Sequence, residues 1–133
     1  MIGAISTALS GLFAASKRVE ASASNIANVS SAGALDEKDG RAPYSALTTV
    51  QKASEGGGVQ AENIPKDPGF VPAYAPDSPF ANEDGLIGVP NTDLAEDAVN
   101  LKLAETAYKA NLATIKTAGE MNDELLRILD DEA

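Results

Sequence analysis

Histidine, cysteine and tryptophan are absent from this chain. Without cysteine there is no disulfide framework and no thiolate nucleophile, and without either cysteine or histidine a zinc site is not expected. The commonest general base is missing as well. Aromatic residues make up only 5% of the 133 residues, and alanine and serine supply much of the small and apolar content. The length suits one domain, but the composition is poorly equipped for a bulky core. No stretch reaches the roughly 20 apolar residues that a membrane span needs. Basic charge is scarce: 10 Lys and Arg against 20 Asp and Glu give a net charge of −10. That balance argues against nucleic acid, or an anionic membrane surface, as partner. An enzyme would be left with carboxylates and lysines. Asp36, Asp39, Glu83 and Asp84 sit in turn-like stretches with no apolar pocket nearby in sequence. No catalytic residue, metal or cofactor is expected.

Proline is missing from both ends; all seven prolines lie between Pro43 and Pro90. Between Ile2 and Asn28 the only charges are Lys17, Arg18 and Glu20. Read in sevens, Ile5, Leu12, Val19 and Ile26 form one line, and Ile2, Leu9, Ser16 and Ala23 form the line beside it. This is the spacing of a coiled-coil seam, on a helix roughly 40 Å long at 1.5 Å per residue. The rest of that helix is small, with Gly3, Ala4, Ala8, Gly11, Ala14 and Ala15 among its residues, so other helices can approach it closely. Ala21-Ser22-Ala23 superficially resembles a signal-peptide cleavage site. No basic residue precedes the apolar run, and Ser6, Thr7, Ser10 and Gly11 interrupt it, so no cleaved signal peptide is expected.

After Asn28 the periodicity stops, and Gly33 is placed to take a left-handed conformation past the helix end. Asp36-Glu37-Lys38-Asp39-Gly40 begins like a calcium loop, but Lys38 stands where an oxygen ligand belongs; it reads as a solvated loop. Tyr44, Leu47, Thr48, Thr49 and Val50 suggest a strand within 43–53, Gly56-Gly57-Gly58 a hairpin tip, and 59–64 the returning strand. No helix or Lys-Ser/Thr pair follows the three glycines, so they read as a turn and not a phosphate cradle. The proline-dense stretch beyond is extended and turn-rich, closing on a short strand over 86–89.

A second long helix begins after Pro90. Pro90-Asn91-Thr92-Asp93 offers N-cap candidates, and Glu96 lies three residues after Asp93 as in a capping box. Leu94, Leu101, Tyr108 and Ile115 repeat in sevens, with Ala98 and Leu112 on the adjoining line. Lys102, Lys109 and Lys116 form a third, basic line, read chiefly as a solvated face, and Glu105 lies one turn from Lys109. The acids at 130–132 oppose the dipole of the helix end, so the tail is expected to fray.

The fold class is therefore mainly α: two long terminal helices paired antiparallel in a coiled-coil-like hairpin, with a small irregular β/loop insert between them. The divisions are 1–33, 34–90 and 91–133. Two Ala-rich helices cover only one side of each other, and a nearly uncharged N-terminal helix leaves apolar surface that a soluble monomer seldom exposes. Burial between molecules is favoured over the alternative, a small α+β domain whose first helix packs on its own sheet. A soluble coiled-coil adaptor or export chaperone is a further alternative, against which the Pro/Gly-rich insert speaks.

Gly11, followed by Ala21-Ser22-Ala23-Ser24-Asn25-Ile26-Ala27-Asn28-Val29-Ser30-Ser31, resembles the N-terminal signature of flagellar basal-body rod, hook and hook-associated axial proteins. Tyr108-Lys109-Ala110-Asn111 resembles the Tyr-x-Ala-Asn of their C-terminal helix. Pro90-Asn91-x-Asp93, Pro43-Tyr44 and the short length point to proximal rod members, or otherwise to another short axial protein of the rod. Ser31-Ala32-Gly33-Ala34 departs from the aromatic that longer members carry after the Asn motif. The resemblance implies a structural role as a subunit of the periplasmic basal-body rod. It implies export by the flagellar type III apparatus without signal cleavage, and polymerisation with copies of itself and neighbouring axial proteins into a helical drive shaft and export channel. Gly11, Asn25, Ile26, Asn28, Tyr108 and Asn111 are its motif residues. The packing residues are Ile2, Ile5, Leu9, Leu12, Val19, Ile26, Leu94, Ala98, Leu101, Tyr108, Leu112 and Ile115.

Overall fold

A run of 27 residues without proline and with few charges folds as one continuous helix, α1 (Ile2–Asn28). In the computed structural model, which describes residues 2–35 and 42–131, four strands follow: β1 (Leu47–Ala53), β2 (Val59–Pro65), β3 (Phe70–Tyr74) and β4 (Leu86–Pro90). A 38-residue helix, α2 (Leu94–Asp131), closes the chain. At 1.5 Å per residue α1 is about 40 Å long and α2 about 57 Å. The calcium-like stretch 36–40 and the last acid, Glu132, lie outside the described residues.

The strands make two separate antiparallel ribbons, β1 with β2 and β3 with β4. Gly57 and Gly58 take positive φ at the first tip, as the triple glycine suggests. A Cβ on Gly58 would run into the Ser10 hydroxyl of α1, so the tip lies directly on the helix. Ser10 Oγ accepts the Val59 N–H at 3.0 Å, and this fastens the hairpin to α1. β3 is not anticipated from the sequence, because it contains Pro72. The proline is tolerated in a two-stranded ribbon, opposite Gly88, where an unpaired edge needs no N–H donor.

Two local expectations are corrected. Gly33 is not left-handed; it pairs with Gly88 through N···O contacts of 3.0 and 2.8 Å, and so belongs to the sheet region. Asp93 does cap α2, its Oδ1 accepting from Ala95 N at 2.8 Å and Glu96 N at 3.1 Å. The reciprocal half of the capping box is not made, because the Glu96 carboxylate pairs with Lys66 at 3.1 Å.

The buried apolar side chains among the described residues are eight alanines, Ile87, Pro43 and Pro90. With so little large apolar surface removed from water, the hydrophobic contribution to stability is small. The helices lie against each other, with Asn25 meeting Asp97 and Gly11 meeting Asn111. The seam between them is not the bulky one. On α1 its buried residues include Ala8, Ala15, Ser22 and Asn25; on α2 they are Asp97, Ala104 and Ala118. Ala8, Ala15 and Ser22 are seven apart, as are Asp97, Ala104, Asn111 and Ala118. The heptad repeat is real, but small residues occupy the contact.

Candidate assembly interface

Where small residues meet, backbones approach closely. A Cβ on Gly11 would stand 2.6–2.7 Å from the side-chain amide of Asn111, so any larger residue must displace that amide. Asn111 is held in place by donating to Ala107 O at 2.8 Å. Two motif residues from opposite ends of the chain therefore form one contact.

Among the described residues Asn25 is the largest fully buried side chain, with no exposed surface. Its Nδ2 donates to Leu47 O at 2.9 Å and to Asp97 Oδ1 at 3.2 Å. Its Oδ1 accepts from Leu47 N at 2.7 Å and from the Tyr44 hydroxyl at 3.1 Å. All four hydrogen-bonding capacities of the amide are used. Tyr44 also bonds Ser24 Oγ at 2.8 Å. Asn25 thus joins α1, the entrance to β1 and the first turn of α2. Aspartate at this position lacks both donors, and glutamine is one methylene too long. Asn28 has a local role, its Nδ2 donating to Ser24 O at 2.8 Å within α1. Sequence reasoning gives both asparagines only as motif residues near a helix end, and it misses that Asn25 reaches across the fold. The signal was Tyr44, an isolated aromatic just before the strand.

The bulky lines lie elsewhere. Ile2, Leu9 and Val19 are exposed, as are Leu94, Ala98, Tyr108 and Leu112 on α2, while Ile5, Leu12, Ile26, Leu101 and Ile115 are half-buried. Phe13 is 64% exposed, a large share for an aromatic in a chain with so few. Ser16 and Val19 on α1 line a shallow apolar depression of about 340 Å³ with Glu105, Tyr108 and Lys109 on α2. A larger groove of about 670 Å³ opens between α1 and the hairpin, with Phe13, Val50 and Ile64 on its walls. Beyond the level of Ala4, which lies beside Ala118 and Met121, α2 continues with Leu125, Leu126 and Ile128 exposed. Exposed apolar surface therefore runs along both helices and across the hairpin.

The basic line is neutralised within α2. Glu105 pairs with both Lys109 and Lys102, and Lys116 lies 3.7 Å from Glu120. The hydrogen bond from Lys109, then that from Lys102, lowers the Glu105 carboxyl from its ordinary 4.5 to about 2. Among the described residues there is no cluster of acidic side chains arranged to hold a metal, and no helix is long and apolar enough to cross a membrane.

Residues 5–34, which comprise most of α1 and the Asn motif, match the family model described as flagella basal body rod protein. The FlgC basal-body rod protein of Yersinia enterocolitica is 35% identical over 116 residues, 81% of this chain and 82% of its own length. The chain belongs to the FlgC family of flagellar basal-body rod proteins. FlgC of Salmonella typhimurium is 33% identical over 118 residues, covering 84% and 85% of the two chains. FlgC of Aquifex aeolicus is 30% identical over 127 residues, 91% of each. Matches of this length span α1, the β ribbons and much of α2, so the likeness to FlgC is not confined to the Asn motif.

Proposed function

We propose that this chain is a structural subunit of the flagellar basal-body rod and polymerises through its terminal helices into the helical drive shaft and export channel. The observation that carries this reading is the exposed apolar surface along both helices of a FlgC-family chain whose own core is almost entirely alanine. Residues 1–33 and 91–133 make up the axial core and 34–90 the insert. The two core helices run antiparallel: Asn25 lies by Asp97, Gly11 by Asn111 and Ala4 by Ala118, so one number falls as the other rises. The residues on the exposed lines, among them Ile2, Leu9, Val19, Leu94, Tyr108 and Leu112, bury against further copies and neighbouring axial proteins. Ile5, Leu12, Ile26, Ala98, Leu101 and Ile115 flank them on the same surfaces. The chain reaches the periplasm through the flagellar type III apparatus with no cleaved signal peptide, and it works there as a scaffold and not as an enzyme.

Deleting the gene and imaging isolated basal bodies tests this. Basal bodies lacking a completed rod, restored by the plasmid-borne gene, are expected. Complete rods and normal filaments in the deletion strain would overturn it.

A further inference from the structure

A small polar pocket of about 160 Å³ lies beside the Asn25 network, where α1, β1, the end of β2 and the first turn of α2 converge. Four charged side chains line it: Arg18 from α1, Lys66 just past β2, and Glu96 and Asp97 from α2. Lys66 and Glu96 are paired with each other at 3.1 Å. Asp97 is 97% buried, being only 3% exposed, and its Oδ1 is bonded to Asn25. Its Oδ2 is also buried and has no hydrogen-bond partner among the described residues. Arg18 makes neither a hydrogen bond nor an ion pair among the described residues. A carboxylate with one unpartnered buried oxygen and an arginine without a partner among the described residues thus line the same pocket.

A buried carboxylate is tolerated only when it is paired and its remaining lone pairs are bonded. A cation that could serve as that partner, Arg18, is already on the pocket wall. We propose that Arg18 closes this pocket, its guanidinium donating to Asp97 Oδ2, and that it is a positioning residue for the α1–α2 seam. It extends the network to Tyr44–Asn25–Asp97–Arg18, so the orientation of the Asp97 carboxylate, and with it the bond to Asn25, is fixed from both sides. Arginine suits this role because its planar fork reaches a carboxylate oxygen while a second N–H serves a neighbouring acceptor such as Thr48 or Ser22 on the same wall.

The test is a double-mutant cycle on the purified full chain, followed by the helical circular-dichroism signal on heating. The readout needs no basal body, so its outcome is separate from that of the rod assignment. Arg18→Gln is expected to lower the unfolding midpoint by about 4 °C, the scale for a chain of this size losing one buried pair. Arg18→Lys should recover at least half of that loss. In an Asp97→Asn background, where no buried charge needs a partner, Arg18→Gln should change the midpoint by less than about 1 °C. A pocket filled only by water predicts that Arg18→Gln is silent in the parent chain. That result, or an equal loss in both backgrounds, would overturn the proposal.

Discussion

The inner and outer faces of the helix pair are built from opposite materials. The inner face is alanine, serine, glycine and asparagine: Ala8, Gly11, Ala15, Ser22 and Asn25 against Asp97, Ala104, Asn111 and Ala118. The outer face has the bulk: Ile2, Leu9, Phe13 and Val19 on one helix, Leu103, Tyr108, Leu112 and Leu125 on the other. A chain selected only to fold alone would reverse this arrangement, because each buried leucine contributes about 1.5–3 kcal/mol and a buried alanine far less. Within the chain, close backbone approach and a saturated amide network set geometry instead of supplying bulk burial. The large apolar side chains remain exposed. Close packing and large apolar surface therefore lie on different faces of the same two helices.

The largest effect is expected where the inner face depends on one amide. Asn25→Asp replaces a double donor with a carboxylate oxygen facing Leu47 O and Asp97 Oδ1. Leaving several buried groups unsatisfied at 1–3 kcal/mol each should cost about 4 kcal/mol, read by urea unfolding of the purified chain. A loss below about 1 kcal/mol would mean that Asn25 is not the hub it resembles. Gly11→Val comes next. Its side chain must evict the Asn111 amide and part the helices, so overpacking of about 2–3 kcal/mol is expected, with Gly11→Ala at about half that. Equal stability for all three residues at position 11 would show that the close approach is dispensable.

Leu112→Asp sharpens the comparison from the other side. Leu112 is 49% exposed, so the charge should leave chain stability within about 0.5 kcal/mol of the parent while abolishing motility and rod assembly. Motile cells carrying the change would break the distinction between faces. The smallest effect belongs to Glu105. Its folded-state carboxyl is depressed from 4.5 to about 2, so any stability it contributes is present above pH 4.5 and is lost as pH falls from there towards 2. The group is exposed and screened by salt, so Glu105→Gln should leave the melting curve at neutral pH unchanged in physiological salt. A marked drop there would mean that the ion pairs with Lys102 and Lys109 are structural.

Both helices, the glycine-tipped hairpin, β4 and the Asp93 cap are legible in the sequence because each follows from local chemistry: periodicity, proline exclusion, turn residues and a side-chain acceptor. The buried side of the helices is not legible in the same way. Hydrophobic periodicity marks where large apolar residues recur, and here that line is the outward one. The line through Ala8, Ala15 and Ser22 has the same period of seven but little hydrophobic contrast, so closeness of packing is invisible to it. β3 is hidden by Pro72, whose missing N–H is harmless only because the ribbon has two strands. Gly33 looks like a helix cap until Gly88, distant in sequence, takes it as a bridge partner. That apolar surface stays exposed is legible from the start, since two Ala-rich helices cover only one side of each other.

The most direct test of two faces with two tasks is chemical access. Because the chain has no cysteine, single substitutions can be labelled without background. Leu9→Cys and Leu112→Cys should react readily with a maleimide in the purified chain and at least tenfold more slowly in isolated basal bodies, whereas Ala15→Cys on the inner face should react slowly in both. Equal labelling of Leu112→Cys in the free chain and in basal bodies would contradict the assignment of the outer face to neighbouring subunits.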